Sequence, residues 1–291
     1  MAGGPGRTAG LLLTGLVTCC ALGACSGVAG DPRAGAPSGA PTGPVATPSP
    51  SVTRIGAATP APEWLGTRVL PVGSDGFAAA QDTPPELRER SIITVDDLPP
   101  PSDGRFHATI QTVPASVLAR STWTSNCPVA QPDLRYLTVG FRGFDGRAHT
   151  GELLVHARVA DDIVTVFERL FAAGFPIERM RVTSTAELNA PPTGDGNPTG
   201  GFACRPVRGQ TSWSQHAYGL AVDIDPFQNP YHKGHVVLPE LATAYLDRAE
   251  PRAGMVLPDG PVVRAFAAIG WRWGGNYRSL KDYMHFSANG G

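Results

Sequence analysis

Lysine is scarce in this sequence, which has only Lys233 and Lys281 among 291 residues. A serine carboxypeptidase of the penicillin-binding type needs a serine three positions before a lysine, and Pro230 and Arg278 occupy those positions. The serine-hydrolase motif G-x-S-x-G and the zinc motif H-E-x-x-H are absent as well. These absences exclude the serine mechanism and mean that any metal site must use another motif.

An excess of positive charge is also missing. Lys and Arg number 24 against 25 Asp and Glu, the formal net charge at pH 7 is −1, and the cations form no basic stripe. Binding to nucleic acid depends on such a stripe. We therefore expect no nucleic-acid partner.

Long apolar runs are missing apart from one near the N-terminus, from Leu11 to Ala24. This run is too short for a mature transmembrane helix and predicts a signal peptide over residues 1–24. It ends at Cys25 in a Leu-Gly-Ala-Cys string that resembles the lipobox of bacterial lipoproteins, in which the cysteine is lipidated. We predict an exported lipoprotein, anchored to the cell membrane through Cys25 and facing the cell wall. An ordinary secretory signal with an incidental cysteine is the alternative.

The rest of the chain divides by composition. Residues 26–62 are almost entirely Gly, Ala, Pro, Ser and Thr. Such a segment buries too little apolar surface to offset the entropy of ordering, so residues 25–62 are predicted to be a disordered tether. Residues 63–103 have many prolines and little periodicity, which predicts an irregular N-terminal wrap. Residues 104–291 are enough for one core and are assigned to one domain.

Cysteine is scarce too, and its count is informative. Of the five cysteines, Cys19 and Cys20 would leave with the signal peptide and Cys25 would carry the lipid. Cys127 and Cys204 remain as an even pair in an oxidising compartment, which predicts a disulfide. Two buried free thiols are the alternative.

Strands and helices mix along residues 104–291 without a regular alternating repeat. Alternating apolar residues predict strands over 105–110, 134–141, 152–156 and 180–183. The helical period predicts one helix from Asp161 and Asp162 to Gly174, and a second helix over residues 261–269. This pattern favours an α+β fold with a mixed antiparallel sheet and flanking helices.

The main chemical signal is the ten-residue string Ser-Gln-His-Ala-Tyr-Gly-Leu-Ala-Val-Asp, which ends at Asp223. From Gly219 the alternation predicts a strand that places Asp223 on a face kept open by small residues. His216 stands just before this strand, where a turn can bring its ring over the same face. A nitrogen ligand and an oxygen ligand on one open face make half of a zinc site.

The string Asp282-Tyr-Met-His285 near the C-terminus offers the third ligand. Because Asp282 and His285 are three apart, one helical or turn-like segment can direct both side chains at one spot. Three protein ligands and a water describe a catalytic zinc, and a carboxylate that does not bind the metal can act as its base. A structural or surface role is the alternative for any one of these histidines.

The pattern Ser-x-His-x-x-Gly-x-Ala-x-Asp, followed by a carboxylate-x-x-His, resembles the zinc D-alanyl-D-alanine carboxypeptidases and the related L-alanyl-D-glutamate peptidases of bacteria and phages. The resemblance covers residues 179–287 and implies the fold that these enzymes share with the Hedgehog signalling domain. It implies His216, Asp223 and His285 as zinc ligands and Asp282 as general base. Carboxypeptidase branches more often carry Glu at this last position, so the cleaved bond stays open.

Further site residues are expected around the motif. A tetrahedral oxyanion needs a cation or donor beside the metal, and Arg205 resembles the family's arginine in a similar segment. A surface arginine with a structural role is the alternative. Ser214 is predicted to bind either substrate or its own loop, and Trp213 and Trp273 are predicted to line either a substrate groove or the core.

The other histidines are expected to lie outside the metal site. His107, His149 and His156 lie in or beside predicted strands and are assigned structural or exposed roles. His232 and His235 form an H-x-x-H pair, but no carboxylate stands at ligand spacing from them.

Together these features predict a monomeric, zinc-dependent peptidase whose domain over residues 104–291 hydrolyses peptide bonds of peptidoglycan stem peptides. The bond is either the D-Ala-D-Ala bond of a carboxypeptidase or the L-Ala-D-Glu bond of an endopeptidase. A non-catalytic zinc-containing module of the same fold that binds the cell wall is the alternative. Asp282 argues against it, because a structural site has no use for a base.

Overall fold

Residues 57–290 are described by a computed structural model, and within them the chain forms four α-helices and eleven β-strands. The helices are α1 (Ala115–Arg120), α2 (Ala160–Ala172), α3 (Thr185–Leu188) and α4 (Pro261–Ala267). The strands are β1 (Ala108–Thr112), β2 (Leu134–Arg142), β3 (Ala148–His156), β4 (Arg179–Met180), β5 (Pro198–Thr199), β6 (Ala221–Asp223), β7 (Tyr231–Lys233), β8 (Val236–Leu238), β9 (Arg272–Trp273), β10 (Lys281–Asp282) and β11 (His285–Ser287).

The described strands pair into four small sheets instead of the single mixed sheet expected from the sequence. Three sheets are antiparallel, in the orders β1-β2-β3, β10-β7-β8 and β6-β11-β9, while β4 and β5 pair in parallel. Most strands have only two or three residues, which is too short for one continuous sheet. Small antiparallel sheets with few helices are compatible with the α+β class.

The main core lies between the β2–β3 hairpin and α2. Leu137 and Val139 of β2 are fully buried there. The apolar stripe of α2 that faces them consists of Ile163, Val166, Phe167 and Leu170. Asp161 and Asp162 occupy the first turn of α2, where carboxylates favour the helix dipole, and Gly174 follows its end with a φ of 65°. The predicted helix is confirmed.

The β6-β11-β9 sheet carries the string that ends at Asp223. Val222 and Phe286 point into the core, and the Phe286 ring stacks on Phe266 of α4 with centroids 4.1 Å apart. Because side chains alternate along a strand, the residues next to Val222 and next to Phe286 face the opposite side of the sheet. The sequence predicts that Gly219 begins this strand, but Gly219 lies outside it. It has a left-handed φ of 67°, and a Cβ there would lie 2.6 Å from the His156 nitrogen.

Two other predicted segments differ in the structure. The strand expected from residue 105 begins at Ala108. The strand expected over residues 180–183 is only β4, because the Val182 nitrogen donates to the Glu152 side chain instead of continuing the ladder. The segment at residues 282–285, predicted to be helical or turn-like, is turn-like, since β10 and β11 belong to different sheets and a bend joins them.

The N-terminal part of the described chain, residues 57–107, is irregular apart from the short 3₁₀ turn Pro85–Leu87 and isolated bridges. Thr59 bridges to Ile92, and its carbonyl accepts from the Ile93 nitrogen. Thr59 is therefore paired with the N-terminal wrap, although it lies in the stretch that the sequence assigns to the tether.

A buried ion pair ties this segment to the rest of the domain. The guanidinium of Arg90, whose side chain is 2% exposed, donates to both carboxylate oxygens of Glu178 at 2.7 and 2.8 Å. The Glu178 backbone nitrogen donates to Asp225 at 3.0 Å. Arg90 is therefore linked through Glu178 to Asp225, which follows Asp223 by two residues.

Cys127 and Cys204 form the predicted disulfide, which joins positions 77 residues apart. Both pack against a second cluster of buried side chains that includes Leu134, Tyr136 and Phe202. The bridge therefore fixes the residue next to Arg205.

The predicted signal peptide, Cys25 and the tether up to residue 56 lie outside the described residues. No helix within residues 57–290 is long and apolar enough to cross a membrane.

Candidate metal centre

His216 is held by a single 3₁₀ turn, Gln215–Tyr218. Ser214 caps this turn, because its hydroxyl accepts from the His216 nitrogen at 3.3 Å, and Gly219 closes it. The His216 Nδ1 lies 2.5 Å from the Gly201 carbonyl oxygen. Since that oxygen can only accept, Nδ1 carries the proton and Nε2 is left as the lone-pair nitrogen.

Asp223 and His285 are direct cross-strand partners in the pairing of β6 with β11. The His216 Nε2 lies 3.2 Å from Asp223 Oδ2 and 3.2 Å from His285 Nδ1, which is 3.1 Å from Asp223 Oδ1. Within residues 57–290, these three side chains are the one cluster of His, Cys, Asp or Glu whose donor atoms could hold a metal. The structure thus brings together the three predicted ligands.

The donor set fits a zinc ion. Two imidazole nitrogens and a carboxylate oxygen are typical zinc ligands, and tetrahedral bonds of about 2.0–2.1 Å place such atoms about 3.3 Å apart. The observed separations are close to that value. His216 Nε2 also points a lone pair at His285 Nδ1, an arrangement that needs a cation or a proton between the two rings.

The electrostatics of the cluster favour ionised Asp223. Burial alone would raise the pKa of Asp223, but a proton on the neighbouring His216 or His285 ring supplies a positive charge and a hydrogen bond that outweigh burial and hold the pKa below its ordinary value. Burial would lower the pKa of His285, and the hydrogen bond and charge of Asp223 raise it instead. A carboxylate kept ionised is ready to bind a cation.

Asp282 lies at the end of β10 and outside the ligand cluster. Its Oδ1 is buried and has no hydrogen-bond partner within residues 57–290. Burial raises the pKa of Asp282 to about 7; the charge of Asp223 adds to the rise, and those of His285 and Arg205 oppose it. Asp282 is therefore a carboxyl group beside the cluster with a free oxygen, as a general base requires.

Arg205 is placed by a hairpin that leads into the His216 turn. Its carbonyl accepts from the Ser214 nitrogen at 3.2 Å, and Pro206 bridges to Trp213. Among the described residues the Arg205 guanidinium bonds only the Pro206 carbonyl, and its charge acts on both Asp282 and His285. The structure therefore puts this cation beside the candidate metal ligands.

The three proposed substrate-binding residues have different surroundings. Ser214 is buried and caps the His216 turn, which is the loop role left open by the sequence. Trp213 is 38% exposed on the hairpin. Trp273 is only 4% exposed, packs in the main core and donates its indole N–H to the Tyr283 carbonyl. Trp273 therefore packs in the core, and it also borders a cavity that is lined by Trp271 and Tyr277.

The other histidines lie outside the cluster. His149 is buried between the carboxylates of Asp96 and Asp145, a structural role. His107 and His235 are exposed and pair with nearby aspartates, and His232 bonds a backbone carbonyl.

Two groups on the metal face are not indicated by the sequence reasoning. The Gly201 carbonyl orients His216, and a backbone atom has no side-chain signature. Ser287 pairs with Ala221 on the same face of β11 as His285, and its buried Oγ has no hydrogen-bond partner among the described residues. The period of two from His285 is the signal that could have found Ser287.

Residues 208–288, a little over a quarter of the chain, match the model of a peptidase family described as D-alanyl-D-alanine carboxypeptidase. The match contains the three ligands and Asp282, and it begins after Arg205. A comparison with solved structures found no match. Residues 208–288 are therefore similar to the D-alanyl-D-alanine carboxypeptidase family, which supports the resemblance that the sequence motif indicates.

Proposed function

We propose that the protein is a zinc-dependent peptidase that hydrolyses peptide bonds of peptidoglycan stem peptides at the cell envelope. The supporting observation is a convergent His-His-Asp donor set with a buried, unpartnered carboxylate oxygen of Asp282 beside it. The family match supports a peptidase.

In this proposal each site residue has one task. Zinc, when bound by His216, Asp223 and His285, supplies a Lewis acid that activates water and polarises a carbonyl. Asp282 accepts the proton of the attacking water and returns it to the departing amine. Arg205 donates hydrogen bonds to the carbonyl oxygen as negative charge develops there.

Two stem-peptide bonds fit this chemistry, the D-Ala-D-Ala bond and the L-Ala-D-Glu bond. Purified peptidoglycan is digested with the protein and the fragments are weighed by mass spectrometry. We expect hydrolysis that a chelator abolishes and added zinc restores. Released D-alanine identifies a carboxypeptidase, and new N-terminal D-Glu identifies an endopeptidase. Hydrolysis that resists the chelator would contradict the proposal.

The alternative function is a zinc-containing module that binds the cell wall without cleaving it. The free oxygen of Asp282 favours catalysis, because a closed structural site leaves no role for it. Binding to peptidoglycan with bound zinc and no fragments released would establish the alternative.

We also propose that Cys25 anchors the protein to the membrane. A single acyl chain binds only weakly, whereas a cysteine with two or more chains holds firmly. Wild-type protein is expected in the membrane fraction, and Cys25→Ser is expected to be released or left unprocessed. Soluble wild-type protein after signal removal would contradict the anchor.

A further inference from the structure

A second arginine stands on the hairpin that leads into the metal turn. The hairpin is closed by hydrogen bonds from the Ser214 nitrogen to the Arg205 carbonyl at 3.2 Å and from the Val207 nitrogen to the Ser212 carbonyl at 2.9 Å. Arg208 lies at its tip, in an exposed position. The same backbone scaffold therefore positions Arg205, Arg208 and the ligand His216.

The two guanidinium groups are close enough to repel each other. Although Arg208 as a whole residue is exposed, partial desolvation by neighbouring protein lowers the pKa of its guanidinium, and the positive charge of Arg205 lowers it further. Arg205 in turn acts on Asp282 and His285 at the metal centre. Arg205 and Arg208 thus provide two positive charges, of which that of Arg205 acts on the metal cluster.

Neither guanidinium has an ion-pair partner among residues 57–290. Arg205 bonds only the Pro206 carbonyl, and Arg208 makes no hydrogen bond to a described residue. The opposing charge that acts on Arg208 is that of Glu240, a buried carboxyl group whose pKa is raised by burial. Two adjacent cations without a carboxylate within ion-pair distance form a site for an external anion.

The substrate of the proposed peptidase carries a matching anion. In D-Ala-D-Ala the residue after the cleaved bond ends in a free carboxylate. In L-Ala-D-Glu that residue is a glutamate, which has two carboxyl groups and keeps at least one outside its backbone linkage. A planar guanidinium binds a carboxylate through two parallel hydrogen bonds. Trp213, which is 38% exposed, lies on the same hairpin as Arg208.

Building on the proposed function, we propose that Arg208 is a specificity-determining residue that binds the free carboxylate of the residue released from the substrate. Arg205 donates hydrogen bonds to the carbonyl oxygen of the cleaved bond. Arg208 selects peptides that have a carboxylate next to that bond.

The test compares peptides that differ only in this charge. One pair is acetyl-Lys-D-Ala-D-Ala as the free acid and as the C-terminal amide, and the other is L-Ala-D-Glu with free and with amidated carboxyl groups. For the acid peptide that is cleaved, Arg208→Gln is expected to lower kcat/KM about tenfold, mainly through KM. The amide should be unaffected. The pair that shows the effect identifies the source of the carboxylate.

The matched control is Arg147→Gln, another exposed arginine, on the turn between β2 and β3. It should leave both rates unchanged. Calorimetric titration of the same peptides runs in parallel, because it measures carboxylate preference even if no bond is cleaved. Absence of hydrolysis by wild-type protein would contradict the proposed function alone. Equal effects of Arg208→Gln on acid and amide, or lower thermal stability with an unchanged acid preference, would overturn the role of Arg208 and point to a charge balance with Glu240.

Discussion

The metal centre and the N-terminal segment 57–107 are held in place by different contacts. Backbone pairing of β6 with β11 and one capped turn bring His216, Asp223 and His285 together. The N-terminal segment has little backbone pairing and is attached through buried side chains, above all Arg90 on Glu178. Ligand side chains can therefore be changed with the backbone intact, whereas Arg90 contributes mainly to the free energy of unfolding.

The largest effect is expected from removing a metal ligand. His285→Ala and His216→Ala each leave two protein ligands, so zinc should be lost and hydrolysis should fall to background. Zinc content by elemental analysis and the rate are measured on the same samples. Circular dichroism should show an intact fold, and full zinc occupancy in both variants would refute the ligand assignment.

Arg90→Ala tests how the N-terminal segment 57–107 is attached to the rest of the domain. Removing one partner of a buried ion pair costs about 3–5 kcal/mol, because the charge of Glu178 is left uncompensated. Denaturant unfolding should show this loss, while zinc content and kcat stay near wild type at temperatures where the variant is folded. Arg88→Ala is the matched control, since Arg88 is exposed. Loss of zinc from folded Arg90→Ala would show that the two regions are not separable.

A smaller loss of stability is expected from removing the disulfide. Replacing Cys127 and Cys204 by Ser should cost about 2–4 kcal/mol, less than the roughly 4–5 kcal/mol ceiling for a long loop. Because Cys204 adjoins Arg205, mild reduction should lower the rate before it unfolds the protein. A rate that declines only in step with unfolding would show that the bridge does not position Arg205.

The same contrast explains what can be predicted from the sequence. His216 and Asp223 stand seven residues apart on a turn and a strand, so local periodicity indicates their shared face. Arg90 and Glu178 are 88 residues apart and follow no local pattern, so their pairing depends on the tertiary fold.

Trp273 shows a second reason why the sequence does not determine the position of every side chain. An aromatic residue before two glycines fits a groove as well as a core. A Cβ on Gly275 would come within 2.3 Å of the Trp273 ring, so the glycine is there to admit a buried indole. The sequence contains both residues but not the distance between them.

The most direct test of the metal-peptidase mechanism is zinc content and turnover measured side by side for wild-type protein and Asp282→Asn. Asp282 is outside the ligand cluster, so the variant should keep one zinc per chain. It should lose about 10²–10⁴-fold in turnover, the usual contribution of a general base. Near wild-type turnover with full zinc would contradict the assignment and place the base elsewhere.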